Sequence, residues 1–432
     1  MKGGSTRLCI VVSIRGSERV RIQKGSRNLI AVVLGIGVLV NYFDRVNLSV
    51  AHDALQHQFG MSDIAFGYLL SAYNWTYAGM QLPSGSLLDR FGVRPVMVVG
   101  IALWAVASGL AAIAPTVALL FMARFLLGIG EAPTFPAYSK AVGLWFPEDR
   151  RGIPTATFDG AAKLSIGIGT PVLGLILLRY GLRANFATTA VLSAIYALVF
   201  AWVYRDPVPH ESEHAAAQLT MSTHGLMQLL RERKVLGAAL GSGAYNYSFY
   251  MLLTWLPVYL HRGLNLDARR AVLWTAVPWL FAAAAGLGIG GVLVDRLIAQ
   301  GRNASAVRRA VLLIGTSLGL LVIVPGFLSD ARIIMACLTL SISGLSAASP
   351  VMWSLPALLA PKASGRVGGI MNFSNQVAGI TAPIVTGYIS GLTHSFDMAF
   401  VVAGVVLVFG IAGYAVLLGR IERIAAPLAA AA

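Results

Sequence analysis

The 432 residues are 57% hydrophobic and 12% charged, with a mean hydropathy of +0.73, whereas a soluble domain carries charged residues at roughly 25%. That balance excludes a water-soluble fold, because so much apolar surface can only be hidden in lipid. A net charge of +15 raises nucleic acid as a partner, but the placement of the charge dismisses it.

Residues 1–27 have a basic start, and the apolar core Leu8 to Ile14 is followed by Arg15 with no Ala-x-Ala site. This reads as a cytoplasmic N-terminal tail, or as a mis-assigned start with the natural one nearer Val20. Apolar runs then recur at roughly the 20 residues that cross a hydrocarbon core of about 30 Å. The first set spans 28–51, 64–88, 96–114, 117–145, 152–178 and 185–204, and the second 235–261, 270–298, 307–328, 332–360, 365–392 and 396–420. The expected fold is an all-α membrane protein with twelve transmembrane helices in two pseudo-symmetric six-helix bundles, 28–204 and 235–420. A cytoplasmic linker, 205–234, joins them, and 421–432 form a cytoplasmic C-terminal tail.

With both termini cytoplasmic, most Lys and Arg fall in inner segments, which satisfies the positive-inside rule. The outer segments hold Arg179, Arg183, Arg262, Arg269, Arg270 and Arg332, and the group at 262–270 runs against that rule. Cys9 and Cys337 are too few and too far apart for a disulfide framework or a CxxC metal site. The histidines lie in loops or near helix ends, and no HExxH, GxSxG or P-loop is present, so neither an enzyme nor a cofactor or metal is expected.

The phrase Gly85-Ser-Leu-Leu-Asp89-Arg90-Phe-Gly92-Val-Arg94 after the second span is echoed by Gly291-Val-Leu-Val-Asp295-Arg296, followed by Arg302, after the eighth. The two halves therefore read as copies. The phrases resemble the signature of the major facilitator superfamily, which implies a structural, gating role for Asp89, Arg90, Arg94, Asp295 and Arg296.

A charge inside the hydrocarbon costs at least about 2.5 kcal/mol on insertion scales, so each embedded ionisable residue is a functional candidate. Asp44, Arg45, Arg124, Glu131, Lys140, Asp159 and Lys163 qualify, with Lys140 near enough to a cytoplasmic end to snorkel. Arg124 and Glu131 are two turns apart on one face of helix 4. Asp44 and Arg45 are adjacent and diverge, which suggests Arg45 toward a ligand and Asp44 toward helix 4. Buried carboxylates such as Asp44 and Glu131 can load and release a proton, and guanidinium groups such as Arg45 and Arg124 can grip a carboxylate. A static network of ion pairs between helices 1 and 4 is the alternative these residues leave open. Asp159 and Lys163 stand i,i+4, either as a mutual salt bridge or with Lys163 donating to substrate and Asp159 as its resting counter-ion. Tyr42, Tyr73, Tyr77, Tyr245, Asn246, Tyr250, Asn372, Asn375 and Gln376 can complete a pocket or bond between helices. Trp255, Trp274 and Trp279 read as interfacial or packing residues, and Gly286, Gly290 and Gly128 with Ala132 as small residues that let helices approach.

Asn41-Tyr42-Phe43-Asp44-Arg45-Val46-Asn47, Arg124-Phe-Leu-Leu-Gly128-Ile-Gly130-Glu131-Ala132-Pro133 and Trp145-Phe146-Pro147-Glu148-Asp149-Arg150-Arg151-Gly152 resemble the anion:cation symporter family, which includes bacterial sugar-acid/proton symporters. The likeness runs from about residue 28 to 420 and implies the major facilitator fold working by alternating access. It implies proton handling by Asp44 and Glu131, substrate-carboxylate binding by Arg45 and coupling by Arg124. The substrate would be an aldonate, hexuronate or aldarate, taken up with protons across a bacterial inner membrane by a monomer. Other carboxylates, aromatic or dicarboxylic, and proton-driven export by the same fold are the alternatives. Helix 5 departs from sugar-acid members, which commonly show neutral Gln or Ser where Phe158-Asp159-Gly160-Ala-Ala162-Lys163 stands here, and a second cation suits a second anionic group.

Overall fold

Ser62, Thr116, Asp267, Asn303 and Asp330 each stand immediately before a long helix and accept a hydrogen bond from a backbone N–H of its first turn, which fixes where those helices begin. A computed structural model describes residues 27–146, 160–206 and 227–424 with their side chains, apart from Leu82 and Lys362, and the helical backbone alone of 6–26, 152–159 and 223–226. The side chain of Asp159, most of the tail at 1–27, much of the linker at 205–234 and the tail beyond Ile424 lie outside the residues so described.

Among the described residues twelve helical spans appear where the apolar runs place them. In the first half these are α1 (Arg27–Ser49), α2 (Asp63–Phe91), α3 (Val93–Ala112) and α4 (Val117–Trp145). The two arms of Gly152–Val203 follow as α5 and α6, which meet at Gly181, whose φ of +83° a glycine adopts without strain. The second half holds α7 (Arg233–Val258), prolonged by a wider turn over Tyr259–Gly263, then α8 (Ala268–Ala299), α9 (Ala304–Gly326), α10 (Ala331–Leu359), α11 (Ser364–Thr393) and α12 (Asp397–Leu418). A short helix, His52–Phe59, joins α1 to α2. The end of the molecule where α6 finishes and α7 begins is termed the linker end.

Among the described residues eight stretches are long and apolar enough to cross a membrane on hydropathy alone, one of them the joined arms from Gly160 to Val203. The helices that fall short are α2, α7 and α11. Each turns polar groups inward, as α7 does with Ser242, Tyr245, Asn246, Ser248, Tyr250 and Thr254, all buried. Burial against other helices rather than lipid accounts for their lower hydropathy.

The two halves repeat one another in detail. In the first, Gly100 of α3 and Gly130 of α4 face each other so closely that a Cβ on either would lie 2.7 or 2.8 Å from the other's carbonyl oxygen. In the second, Gly315 of α9 and Gly344 of α10 do the same, at 2.4 and 2.8 Å. Gly128 likewise lies against the Tyr73 carbonyl of α2, and Gly290 against the Ala347 carbonyl of α10. The halves meet along α2 with α11, where Gly67 abuts the Pro383 carbonyl and Asn74 Nδ2 donates to the Gly379 carbonyl at 2.9 Å. They also meet along α5 with α8, where Gly160, Gly167 and Gly174 receive Leu287, Leu280 and Val272. Such small residues let helices pack at close range without a hydrophobic driving force.

Trp255 and Trp279 are fully buried packing residues, at 1% and 0% exposure.

Candidate functional site

At the centre of the first half, α1 carries a run of buried polar side chains, Asn41, Asp44, Arg45 and Asn47, into the path of α4. α4 breaks there, between Val117–Glu131 and Thr134–Trp145, at Ala132-Pro133, because proline offers no N–H to the helix ladder. Glu131 is the last residue before that break. Arg45 Nε meets Glu131 Oε2 at 3.2 Å, with Arg45 8% exposed and Glu131 fully buried. The Arg45 guanidinium also lies over the rings of Tyr42, Tyr73 and Tyr77, at 4.6, 4.8 and 5.4 Å from their centroids. A carboxylate and three aromatic faces thus share one cation. From the second half, Tyr250 of α7 faces the same guanidinium. Among the described residues Arg45 Nη2 and Glu131 Oε1 are buried without a hydrogen-bond partner, with the hydroxyl-bearing Tyr250 and Tyr73 as their aromatic neighbours.

The expected division of labour on α1 is corrected in one respect. Asp44 points not to helix 4 but to α3 and α6, where Ser108 Oγ and Ser193 Oγ, the latter at 2.8 Å, both donate to its carboxylate. It is Arg45 that reaches helix 4. The two adjacent side chains do diverge, as their spacing on the helix requires. A hydroxyl can donate to a carboxylate and rotate to accept from a carboxylic acid, so the two serines suit Asp44 in either protonation state.

Arg124 is the brace between these groups. It donates to the Asp44 carbonyl at 3.0 Å and to Asn47 Oδ1 at 2.8 Å. Asn47 in turn donates to Thr189 Oγ1, and Asn185 donates to the Asn47 carbonyl, both at 2.9 Å. Arg124 therefore holds the α1 backbone beside Asp44, and Arg45 alone of the two arginines sits in the aromatic cage. Ser108, Asn185, Thr189 and Ser193 are the residues that sequence reasoning missed. A solitary Ser, Thr or Asn in an apolar helix is too ordinary a signal to single them out.

Lys163 of α5 is 2% exposed and faces the second half, its Nζ 3.3 Å from Ser349 Oγ of α10. It lines a void of about 10 Å³ with Tyr245, Phe249, Trp279 and Ser346, room for roughly one water. On α11, Asn375 bonds to Ser242 Oγ of α7 at 2.7 Å, and Asn246 donates to the Ser242 carbonyl at 2.9 Å. Asn375 thus ties helices together, whereas Gln376 Oε1 is buried with no partner among the described residues, and Asn372 is half-buried one turn away.

At the linker end, Asp89 pairs with Lys140 of α4 at 2.7 Å, and Lys140 also donates to the Leu88 carbonyl. Arg90 lies over Phe91. Arg94 Nη2 donates to the Ala201 carbonyl of α6 at 2.8 Å, while the Val93 and Arg94 amides donate to Asp206, an acid at a helix N-terminus. Asp295 and Arg296 are exposed. The counterpart of Arg94 in the second half is not Arg302, which the sequence phrase suggested, but Arg309, whose Nη2 donates to the Ala415 carbonyl of α12 at 3.0 Å.

A sequence profile described as the Major Facilitator Superfamily matches residues 34–383. The chain is 36% identical to the uncharacterized transporter YybO of Bacillus subtilis, over 96% of this chain and 99% of that one. It is 33% identical to the probable sulfoacetate transporter SauU of Cupriavidus necator, over 89% and 92%. Identity to the probable galactarate/D-glucarate transporter GudP of Bacillus subtilis is 29%, over 92% and 93%. Among solved structures, a bacterial homologue of the human lysosomal transporter Spinster, inward-facing and unoccupied, matches with a TM-score of 0.73 over 91% of this chain and 97% of that one, at 15% identity.

Proposed function

The chain belongs to the major facilitator superfamily, and from that premise we propose that it is a proton-coupled symporter that carries a small organic anion, a sugar acid or a comparable short dianion, into the cell. The observation that carries this reading is the Arg45–Glu131 pair, a buried cation and a buried acid bound to each other through one atom each, with Arg45 Nη2 and Glu131 Oε1 without a hydrogen-bond partner among the described residues. A substrate carboxylate that takes Arg45 competes with Glu131 for it, and a proton on Glu131 releases Arg45 to the substrate. Substrate and proton then enter together because each lowers the cost of the other. Asp44, cradled by hydroxyls on α3 and α6, is the second proton carrier, and Arg124 couples it to the rest of α1. Tyr42, Tyr77, Asn372 and Gln376 complete the pocket around the ligand, and Asn375 fixes the helices that carry them.

Lys163 supports a substrate with two anionic ends. Galactarate, glucarate and sulfoacetate, which appear in the names of the relatives, each carry two such groups. Arg45 on α1 and Lys163 on α5 are both buried and both face the second half, and two cations on separate helices suit a substrate with an anionic group at each end.

The excess of Lys and Arg near the linker end favours an orientation with that end and both termini in the cytoplasm of a bacterial cell, the chain lying in its inner membrane. One copy contains both halves, so a monomer suffices.

The test is uptake into proteoliposomes of aldonates, hexuronates, aldarates, sulfoacetate and aromatic acids, with and without an inward proton gradient, alongside Glu131→Gln. Accumulation of one acid that requires the gradient, and is uncoupled in the variant, is expected. Folded protein that accumulates none of them, or accumulates one regardless of the gradient, overturns the reading.

A further inference from the structure

Asn41 of α1 is fully buried, and neither its Oδ1 nor its Nδ2 has a hydrogen-bond partner among the described residues. Most buried polar groups of native proteins are partnered, so an amide unmet on both atoms requires a reason. Thr134 of α4, also fully buried, carries a hydroxyl that is likewise unpartnered among those residues. The two stand at the same level on facing helices. One turn beyond Asn41, Arg45 meets Glu131, and one turn before it Gly37 lies against the hydroxyl of Tyr138. α1 and α4 therefore run antiparallel, side by side, from the first contact to the second, with Asn41 midway along one and Thr134 midway along the other. The Arg45–Glu131 pair is bordered on its linker-end side by polar atoms that it does not use.

A carboxylate and a carboxylic acid call for different partners. The ionised form only accepts, and Arg45, which only donates, matches it; the acid has an O–H to give away, and a guanidinium offers no acceptor. A carboxamide offers both. Its Oδ1 can take the acid O–H while its Nδ2 donates to the acid carbonyl, two bonds that close a ring. Asp44 needs no such partner, since the hydroxyls of Ser108 and Ser193 already reach it and can turn to suit either form. Glu131 is placed differently. Besides Arg45, the phenol of Tyr73 stands beside it, and a single hydroxyl serves one carboxyl oxygen rather than both.

We propose that Asn41 is the partner of protonated Glu131, a positioning residue to which the acid turns, toward the linker end, when it gains its proton and lets go of Arg45. The Thr134 hydroxyl lies alongside to join the pair. The O–H bond stays on Glu131 throughout, and only hydrogen bonds change hands. The travel is about 5 Å, one helical turn, divided between the glutamate and amide side chains. Two protonation states thus become two positions of one side chain, each with its own matched partner. Capture of the acid by Asn41 keeps Glu131 from returning to the guanidinium while a substrate anion occupies it. This deepens the symporter reading and rests on it in one respect, that Glu131 takes up the proton.

Acid-minus-alkaline infrared difference spectra of the full chain in lipid, without substrate, read the carboxylic acid C=O stretch, and Glu131→Gln identifies the band that belongs to Glu131. That band is expected to move to higher frequency in Asn41→Leu and in the smaller Asn41→Ala, because the acid loses the amide that donates to its carbonyl. The second variant carries the test should the first not fold. A role for Asn41 confined to helix packing leaves the band where it is. An unmoved Glu131 band in the Asn41 variants overturns the pairing. So does a shift confined to the band lost in Asp44→Asn, which would give Asn41 to Asp44, or a shift produced by Tyr73→Phe and not by the Asn41 variants. Each of these outcomes leaves protonation of Glu131 standing, whereas a parent spectrum with no Glu131 band overturns the symporter reading and the pairing with it, so the two failures are distinguishable.

Discussion

Arg94 and Arg309 occupy matching corners of the two halves, each donating from Nη2 to a carbonyl on the last helix of its own half, Ala201 at 2.8 Å and Ala415 at 3.0 Å, and each keeping a buried Nε without a partner among the described residues. The relationship predicts that Arg94→Ala and Arg309→Ala each destabilise their half by about 1.5–3 kcal/mol, the worth of a hydrogen bond that involves a charged group. Arg302→Ala is expected to leave stability unchanged. Thermal unfolding in detergent decides it, and a loss from Arg302→Ala equal to that from Arg309→Ala would restore Arg302 as the counterpart.

The reciprocal glycine contacts predict a second stability effect. Gly130→Ala and Gly315→Ala push a methyl into a backbone carbonyl, which side-chain rotation cannot relieve, and overpacking of this kind costs about 1–3 kcal/mol. Gly109→Ala, with open space around its Cβ position, is the control. Equal melting temperatures for all three would show that the helices part without penalty.

Arg45→Lys is expected to weaken substrate binding about tenfold or more, because an ammonium can neither grip a carboxylate with two parallel donors nor spread over Tyr42, Tyr73 and Tyr77 as a guanidinium does. Binding calorimetry on folded variant protein reads the change. Retained affinity would place the substrate carboxylate elsewhere.

Lys163→Gln is expected to lower transport of dianionic acids about tenfold while sparing monoanionic ones, since the amide keeps a donor but not the charge. Competition of an aldarate against an aldonate measures it. Unchanged discrimination would remove Lys163 from substrate recognition.

Glu131→Gln is expected to retain counterflow exchange of substrate but to lose accumulation under a proton gradient, because the amide cannot carry the proton. Accumulation at the parental level would exclude Glu131 from coupling.

The spans were legible because lipid imposes a length and a polarity on every crossing segment, and even Pro133 beside Glu131 could be read as part of a motif. The embedded charges were legible for the same reason. Their directions were not, since a helical wheel gives the angle between Asp44 and Arg45 but not the orientation of α1 in the bundle. That orientation follows from Arg124 bonding the Asp44 carbonyl and Asn47, contacts between residues far apart in sequence. The repeat was legible as a phrase yet misaligned at its arginine, because Arg302 and Arg309 are distinguished by a contact with Ala415 and not by spacing. The contacts of His52 were not legible, since a histidine at a helix end is commonplace in sequence, whereas in the fold it is buried with Nε2 2.9 Å from Asp63 Oδ1.

The inward polarity of α2, α7 and α11 carries a consequence for biosynthesis. A segment leaving the translocation machinery is sorted by its own partitioning into lipid, and these three are the ones that fall short of it. They must linger at the exit until an apolar neighbour arrives to shield them, α11 until α12 in particular. The polar groups that these helices turn inward therefore set the order in which the nascent chain can enter the bilayer.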